Sequence, residues 1–530
     1  MKKKLLAGIA VLLLAFLYYY IELPAINIHE SGFWFFLVAV IGIIVVVYAI
    51  RKRLYGTIQL KQSKGIKAGV ILMLVIIAVY AVGSLLSSPI INAKKYQNLV
   101  TPEERDLTED IQEISFNQIP LLDKDSAVLL GNRKMGSMVD MVSQFEVSDL
   151  YSQINYQGQP YRVTPLVYAN AIKWLTNQKD GIPAYIRIDM ATQNTELVKL
   201  EDGIKYSESE LLNRNIYRHL RFRYPTYMFD QLSFEINDDG VPYWICPVKK
   251  FNIGLFGGQT IGKVVLCNAI TGETEEYKIK DCPQWVDRAY PADLLIDVYN
   301  YHGTLKNGFF NSVLGQKGCL KTTDGYNYLA LEDDVWVYTG ITSVSGDRSN
   351  VGFVLMNQRT METRYYSCAG AEEYSAMESA EGQVQNLKYT AAFPLLLNIS
   401  NEPTYFMALK DGAGLVKKYA MVNIQKYQNV AIGDTVSECE KAYVKLLASN
   451  GITSTDEKST GTNEISGKIK RIGQAVMDGN SHFYLALEEN DEVYDVPVVD
   501  YPEIVTYDVG DEITLEYSED SPANVVLGIK

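Results

Sequence analysis

Histidine is scarce in this chain of 530 residues, and cysteine is confined to part of it. The four histidines, His29, His219, His302 and His482, are scattered, and none precedes a nucleophile in a known arrangement. All six cysteines (Cys246, Cys267, Cys282, Cys319, Cys368 and Cys439) follow residue 245. No Cys-x-x-Cys pair or neighbouring His gives them a zinc-ligand or thioredoxin-like spacing. Gly-x-Ser-x-Gly, a Walker loop and His-Glu-x-x-His are missing as well, so no catalytic residue is assigned. The enzymatic reading that remains is an envelope hydrolase assembled from distant positions. No cofactor or metal is expected. The acidic pieces, Glu332-Asp333-Asp334 and the set Glu372, Glu373, Glu378 and Glu381, match no EF-hand and read as solvated faces.

Long apolar runs, by contrast, are plain. Residues 5–17, extended through 18–21, then 33–50 and 68–86, each approach the roughly 20 residues that cross a bilayer core. A cleaved signal peptide is the alternative for the first run. An uncleaved helix is the reading here, because two more runs follow and no small-x-small cleavage site is visible. Lys2, Lys3 and Lys4 precede the first run, and Arg51, Lys52, Arg53, Lys61, Lys64 and Lys67 fill the loop between the second and third. The first loop holds Glu22 and Glu30 and no Lys or Arg. The positive-inside rule therefore expects a multi-pass cell-membrane protein with a cytoplasmic N-terminus and an extracytoplasmic remainder.

Residues 1–90 contain nine basic and two acidic side chains; of the chain's 49 and 63, that leaves 40 basic and 61 acidic, a balance of −21. So acidic a surface argues against nucleic acid and against anionic membrane faces as partners. A protein or peptide partner at the envelope is the class it fits.

The outer part divides, on composition, into a neck and connecting segment (91–160), two α+β domains (161–300 and 301–452), a polar linker (453–464) and an all-β segment (465–530). Thr101-Pro102-Glu103-Glu104 reads as a capping box opening a short helix. Residues 161–178 carry apolar side chains at helical spacing (Leu166, Ala169, Ile172, Leu175), and a second helix is expected over 208–221. Short strands bounded by Gly, Asp and Asn follow, with further helices at 291–303 and 370–387. The last 65 or so residues show five strands, with an Asp478-Gly479 turn, and resemble a small barrel of the OB type.

One turn recurs. Thr-x-x-Thr occurs at Thr192/Thr195, Thr271/Thr274, Thr339/Thr342 and Thr360/Thr363. Three of these have Asp189, Asn268 or Asn357 three residues earlier and stand between two strands. Asp or Asn plus Thr is turn chemistry, so Asp189, Thr192, Asn268, Thr271, Asn357 and Thr360 are assigned as turn formers. A second echo links Asp180-Gly181-Ile182-Pro183 to Asp239-Gly240-Val241-Pro242, and the pair suggests duplicated helix-plus-antiparallel-sheet units.

Strand, Asp/Asn-x-x-Thr-Gly, strand, with a helix in front, resembles the PepSY-type domains of bacterial exported and membrane proteins. The resemblance covers residues 161–280 and, more loosely, 350–425. It implies an extracytoplasmic binding or inhibitory module rather than an enzyme.

Two further expectations concern side chains. Cys246 and Cys267 flank "FNIGLFGGQT" and could form a disulfide across a long hairpin, with free buried thiols as the alternative. Tyr185, Tyr243, Trp244, Leu255, Phe256, Trp285 and Tyr405 are candidates for a partner or ligand surface. For the aromatic residues among them core packing is the competing reading; for Leu255 and Phe256, at the hairpin tip, it is packing on a neighbouring domain. The sequence thus points to a membrane-anchored α+β protein that binds, scaffolds or regulates, with an accessory subunit of a transport or secretion complex as a further alternative.

Overall fold

The computed structural model describes residues 2–54, 63–111, 120, 122–343, 349–452, 463–477, 480–488, 490, 492–498, 501–518 and 523–530. It comprises two compact units, Met1–Leu446 and Leu447–Lys530.

The first unit opens with α1 (Lys2–Glu22), α2 (Ser31–Leu54) and α3 (Lys64–Ser87), three helices long and apolar enough to cross a membrane. A short α4 (Pro89–Gln97) follows directly, with its proline at the first helical turn, where a missing N–H costs nothing. The α1–α2 connection touches chain from far downstream. Ile26 N donates to Pro225 O at 2.8 Å, and Asn27 Nδ2 donates to Thr226 O at 3.0 Å. Arg221 Nε donates to Leu23 O at 2.8 Å, and the Arg218 guanidinium lies 4.2 Å from the Tyr20 ring centre. The first loop and the large α+β part therefore share one end of the apolar helices.

Next come β1 (Glu103–Arg105), α5 (Leu107–Asp110) and α6 (Lys124–Gly136). The helix expected to open at Thr101 is not formed. Residues 103–105 pair in parallel with Arg364, Tyr365 and Tyr366, and the cap is Asp106, which accepts from Thr108 N. Ladder hydrogen bonds at a sheet edge outweigh the local capping preference.

A first sheet contains β2 (Phe145–Val147), β3 (Ser152–Tyr156) and β4 (Gln159–Tyr168) and, after α7 (Ala171–Asn177), β5 (Ile182–Asp189) and β6 (Thr195–Ile204). Its order is β2-β4-β5-β6, with β3 also on β4. The helix read over 161–178 is half strand. Every residue from Arg162 to Leu166 is buried, so β4 lacks the alternation that marks a half-exposed strand. On α7 the supposed core positions Ile172 and Leu175 are 71% and 63% exposed.

After α8 (Ile216–Arg223), shorter than the expected 208–221 and capped by Asn215, the chain builds a meander. Its strands are β7 (Ser233–Ile236), β8 (Pro242–Ile253), β9 (Gly257–Asn268) and β10 (Thr274–Lys278), in order β10-β9-β8-β7. Helix α9 (Ala292–Thr304) leads to β11 (Leu320–Thr322), β12 (Asn327–Leu331), β13 (Asp334–Ser343), β14 (Ser349–Asn357) and β15 (Thr363–Ala371), ordered β1-β15-β14-β13-β11 with β12 on β13. Helix α10 (Glu373–Gln383) is followed by β16 (Thr390–Ala391), β17 (Leu395–Ile399), β18 (Glu402–Lys410), β19 (Val416–Asn423) and β20 (Val430–Gly433), and α11 (Val436–Ser449) comes last.

Domain borders expected after residues 160 and 300 fall inside β4 and α9. One buried cluster joins Leu122, Val163 and Ile186 to Phe234, Trp244 and Cys267, tying the first sheet to the meander. A second joins Ile261 of β9 to Leu295 of α9 and Val337 of β13.

The second unit is a closed barrel of β21 (Asn463–Met477), β22 (Asn480–Leu487), β23 (Val493–Pro497), β24 (Glu512–Ser518) and β25 (Asn524–Ile529), ordered β21-β22-β23-β25-β24. Strand β21 is long enough to pair with β24 through its first half and β22 through its second; β23 and β25 run parallel. Ile469, Leu485, Val496, Leu515 and Val526 fill it. Residues 453–462 of the expected linker and the Asp478-Gly479 turn lie outside the described residues.

Candidate functional site

The three Asp/Asn-x-x-Thr turns share one set of hydrogen bonds. Asp189, Asn268 and Asn357 each accept, through Oδ1, from the backbone N–H groups two and three residues on, at 2.8–3.0 Å. Thr192, Thr271 and Thr360 each accept from the N–H two residues further, at 3.2–3.4 Å. The residue after each Thr is left-handed: Gln193 (φ 62°), Gly272 (φ 75°) and Met361 (φ 68°). Each Oδ1 and each Thr Oγ1 thus accepts from its own turn, which makes these residues formers of shape.

The expected aromatic surface is mostly interior. Tyr185, Trp244 and Tyr405 are wholly buried, and each uses its polar atom inward: Tyr185 Oη on Gly240 O, Trp244 Nε1 on Tyr206 O, Tyr405 Oη on Ala371 O. Consecutive positions around these rings are buried (184–186, 244–248 and 404–410), so the strands are covered on both faces there and the rings cannot line a groove. Tyr243 and Trp285 are half-buried against each other, centroids 5.2 Å apart.

Leu255 and Phe256 sit at the β8–β9 tip, which docks on the apolar helices. Their N–H groups donate to Ser87 Oγ at 2.8 and 3.2 Å. The Phe256 ring lies 5.0 Å from Tyr80 and 6.3 Å from Trp34, and His29 Nδ1 is 2.7 Å from Leu255 O.

All six cysteines are free and buried. Cys246 stands opposite Val265 and Cys267 opposite Trp244, so the two are diagonal rather than facing, which corrects the expected disulfide. Burial pushes Cys267, Cys282 and Cys439 up to about 12 and Cys368 up to about 11, leaving inert thiols. Two further histidines bind backbone, with His219 Nε2 2.8 Å from Gly272 O and His302 Nδ1 3.1 Å from Gln97 O, while His482 Nδ1 is 2.8 Å from Asp495 Oδ1 in the barrel. Nor are the acidic pieces merely solvated. Glu332 pairs with Arg364, Arg359 forks onto Asp334, and Glu373 is buried, accepting from Gly340 N at 2.8 Å.

A different place stands out: a cavity of about 360 Å³ where the first sheet, the start of β7, β12 and the turn before α9 converge. Arg162, Gln153, Tyr151 and Arg288 line it, with Tyr326, Tyr328 and Phe393 as an aromatic wall. Arg162 is 4% exposed and makes no ion pair among the described residues. Its hydrogen bonds, to Leu122 O and Gln153 Oε1, are long at 3.4 Å each. Burial pushes its pKa down. Gln153 Nε2, Tyr151 Oη and Arg288 Nε are buried without any acceptor. Four residues of the lining thus carry donors with little to bind, although Arg288 also donates through Nη2 to Gln231 Oε1 at 2.9 Å. Gly131 of α6 permits the Tyr151 position, because a Cβ there would lie 2.1 Å from Tyr151 Oη.

The chain matches no protein-family model and no curated protein sequence. The cavity must be judged on its chemistry. It has no histidine or cysteine in its lining; of its serines, Ser152 and Ser233, Ser233 donates its Oγ proton to Glu235 at 3.1 Å, a carboxylate that also accepts from the amides of Asp287 and Arg288.

Behind the cavity lies a buried acidic network. Glu235 accepts from Asp287 N (2.9 Å) and Arg288 N (3.1 Å), and Asp287 accepts from Asn155 N (2.7 Å). Burial raises Glu235 to about 7, and burial plus the Glu235 charge raises Asp287 well above the carboxylate range. Sequence reasoning missed Arg162 because it stood in a segment read as helix, and Arg288 because its setting is made by distant chain. The available signal was the β-branched pair Val163-Thr164 followed by Pro165, which together disfavour a helix.

Proposed function

We propose that this chain is a membrane-anchored, extracytoplasmic binding protein of the bacterial cell envelope that acts as a scaffold or regulatory subunit and not as an enzyme. The observation that carries the reading is the cavity: buried donors and aromatic walls suited to holding a ligand, with no nucleophile–base pair among its lining residues. The anchoring half is supported by three apolar helices, by basic residues near Lys2–Lys4 and in the 51–67 loop, and by the clamp of the large unit on the opposite loop.

The three matching turns support duplicated units of PepSY type. The two echoes fall differently, however: the Asp-Gly-x-Pro entrance leads β5, immediately before its turn, but leads β8, one hairpin earlier than its turn. The barrel order, with β23 and β25 parallel, supports an OB-like C-terminal unit.

Orientation is tested with Val139→Cys, at a position 82% exposed in a chain whose own thiols are all buried. A membrane-impermeant maleimide should label it in intact cells; labelling only after lysis overturns the extracytoplasmic placement. In-cell photocrosslinking from the rim of the cavity should capture a partner or ligand. Should alanine at His219, His302, Cys319 or Cys368 abolish a cell-surface activity, the hydrolase alternative takes over.

A further inference from the structure

We infer that the cavity between β4, β7 and β12 takes a small zwitterion of the amino-acid class, its carboxylate held by Arg162 and Arg288. This rests on the binding reading and names its ligand.

The decisive residue is Arg162. The other deeply placed arginines of the α+β part are matched: Arg364 with Glu332, Glu362 and Asp110, Arg359 with Asp334, and Arg221 with the carbonyls of Leu23, Tyr224 and Tyr227. Arg162 alone among these has two long neutral bonds for five N–H donors. An unpaired buried cation costs several kcal/mol, so a fold that keeps one at a cavity wall is built for an anion. Arg288 and Gln153, also in the lining, add unpartnered donors in Nε and Nε2.

Carboxylate is favoured over phosphate by the acids of the lining. Asp123 is neutralised by Lys410; with Lys124 as the third cation of the lining beside Arg162 and Arg288, the acids Asp149 and Asp293 remain. They repel a dianion and suit an ammonium group. Tyr326, Tyr328 and Phe393 then offer apolar surface to a side chain. The cavity's size, about 360 Å³, lies at the small end of ligand pockets.

The test uses the full chain in detergent micelles, with thermal unfolding read against the twenty free amino acids, acetate and inorganic phosphate at millimolar concentration. At least one amino acid should raise the unfolding temperature saturably, and its N-acetyl and amide derivatives should bind roughly tenfold or more weakly. Arg162→Met should unfold at a higher temperature without ligand, having lost a buried charge, and should show no ligand shift. Arg288→Gln, which keeps a donor, should weaken the shift roughly tenfold and covers the case in which Arg162→Met does not fold. The inference is overturned by an absence of any amino-acid shift, by a shift unchanged in Arg162→Met and Arg288→Gln, or by stabilisation from phosphate alone. Val139→Cys labelling does not depend on Arg162, so failure of the extracytoplasmic placement is distinguishable from failure here.

Discussion

Gly272 shows how two demands meet in one residue. It follows Thr271 in a turn whose equivalent position holds Gln193 and Met361 elsewhere, both left-handed, so the turn itself tolerates a side chain. What forbids one at 272 is Tyr206: an added Cβ would lie 2.3 Å from its ring. Gly272→Ala should therefore destabilise by more than the ~1–2 kcal/mol of left-handed strain. Gln193→Gly, which only relieves strain, should stay within about 1 kcal/mol of the parent. Denaturant unfolding of the full chain in detergent measures both, and equal losses would remove Tyr206 from the explanation. The turn was legible in the sequence because an Asx side chain bonds backbone two and three residues on. Tyr206 was not, because that contact joins β6's exit to a remote hairpin.

At the scale of elements, the long hairpin is the informative case. Strands β8 and β9, twelve residues each, reach from the core of the meander to the ends of α2 and α3. Ser87 is the latch: its Oγ donates to Gly83 O and accepts both tip amides. Ser87→Ala leaves two N–H groups short of an acceptor, at about 1–3 kcal/mol. Hydrogen exchange over residues 253–258 should accelerate by roughly tenfold or more while the barrel is unaffected; unchanged exchange would show that ring packing around Phe256 suffices. Apolar runs and strand boundaries of this hairpin could be read from sequence. Its destination could not, since Leu255-Phe256 beside glycines fits a bilayer, a partner or a neighbouring element equally well. β4 failed for a related reason: burial on both faces erased the period of two and left a spacing that imitated a helix, which also hid Arg162.

Across the whole α+β unit, separate sheets meet on carboxylates rather than on apolar surface alone. Glu235 of β7 and Asp287 before α9 hold each other and the Asn155 backbone of β3, while Asn155 Nδ2 reaches Asp333 in the β12–β13 turn at 3.0 Å. Asp334 next to it accepts from Asn357 Nδ2 and Arg359 in the β14–β15 turn. Burial favours the neutral acid at Glu235 with a pKa near 7 against 4.5 unfolded, Arg288 opposing only in part; Asp287 is raised in the same direction, with Asp334 and Asp333 adding to it. For groups raised in the folded state, the stabilisation is complete below the unfolded pKa and is lost as pH climbs through the folded one. Stability should then fall from pH 5 to pH 8. Glu276 and Glu332, held low by Lys263 and Arg364, lose their contribution only on the acid side and leave this window untouched. Glu210 and Glu373, pushed up by burial, tilt it the same way, and His219, pushed down by burial, tilts it the other way, so the comparison must be internal. Glu235→Gln removes one titrating member while keeping an acceptor for one of the two amides, which Glu235 holds on separate oxygens (Asp287 N on Oε2, Arg288 N on Oε1). Thermal unfolding of parent and variant across pH 5–8 should show a shallower slope in the variant, with the curves closest at pH 5; parallel curves would mean that Glu235 is ionised in the fold and that the joint between the sheets is an ordinary charged one.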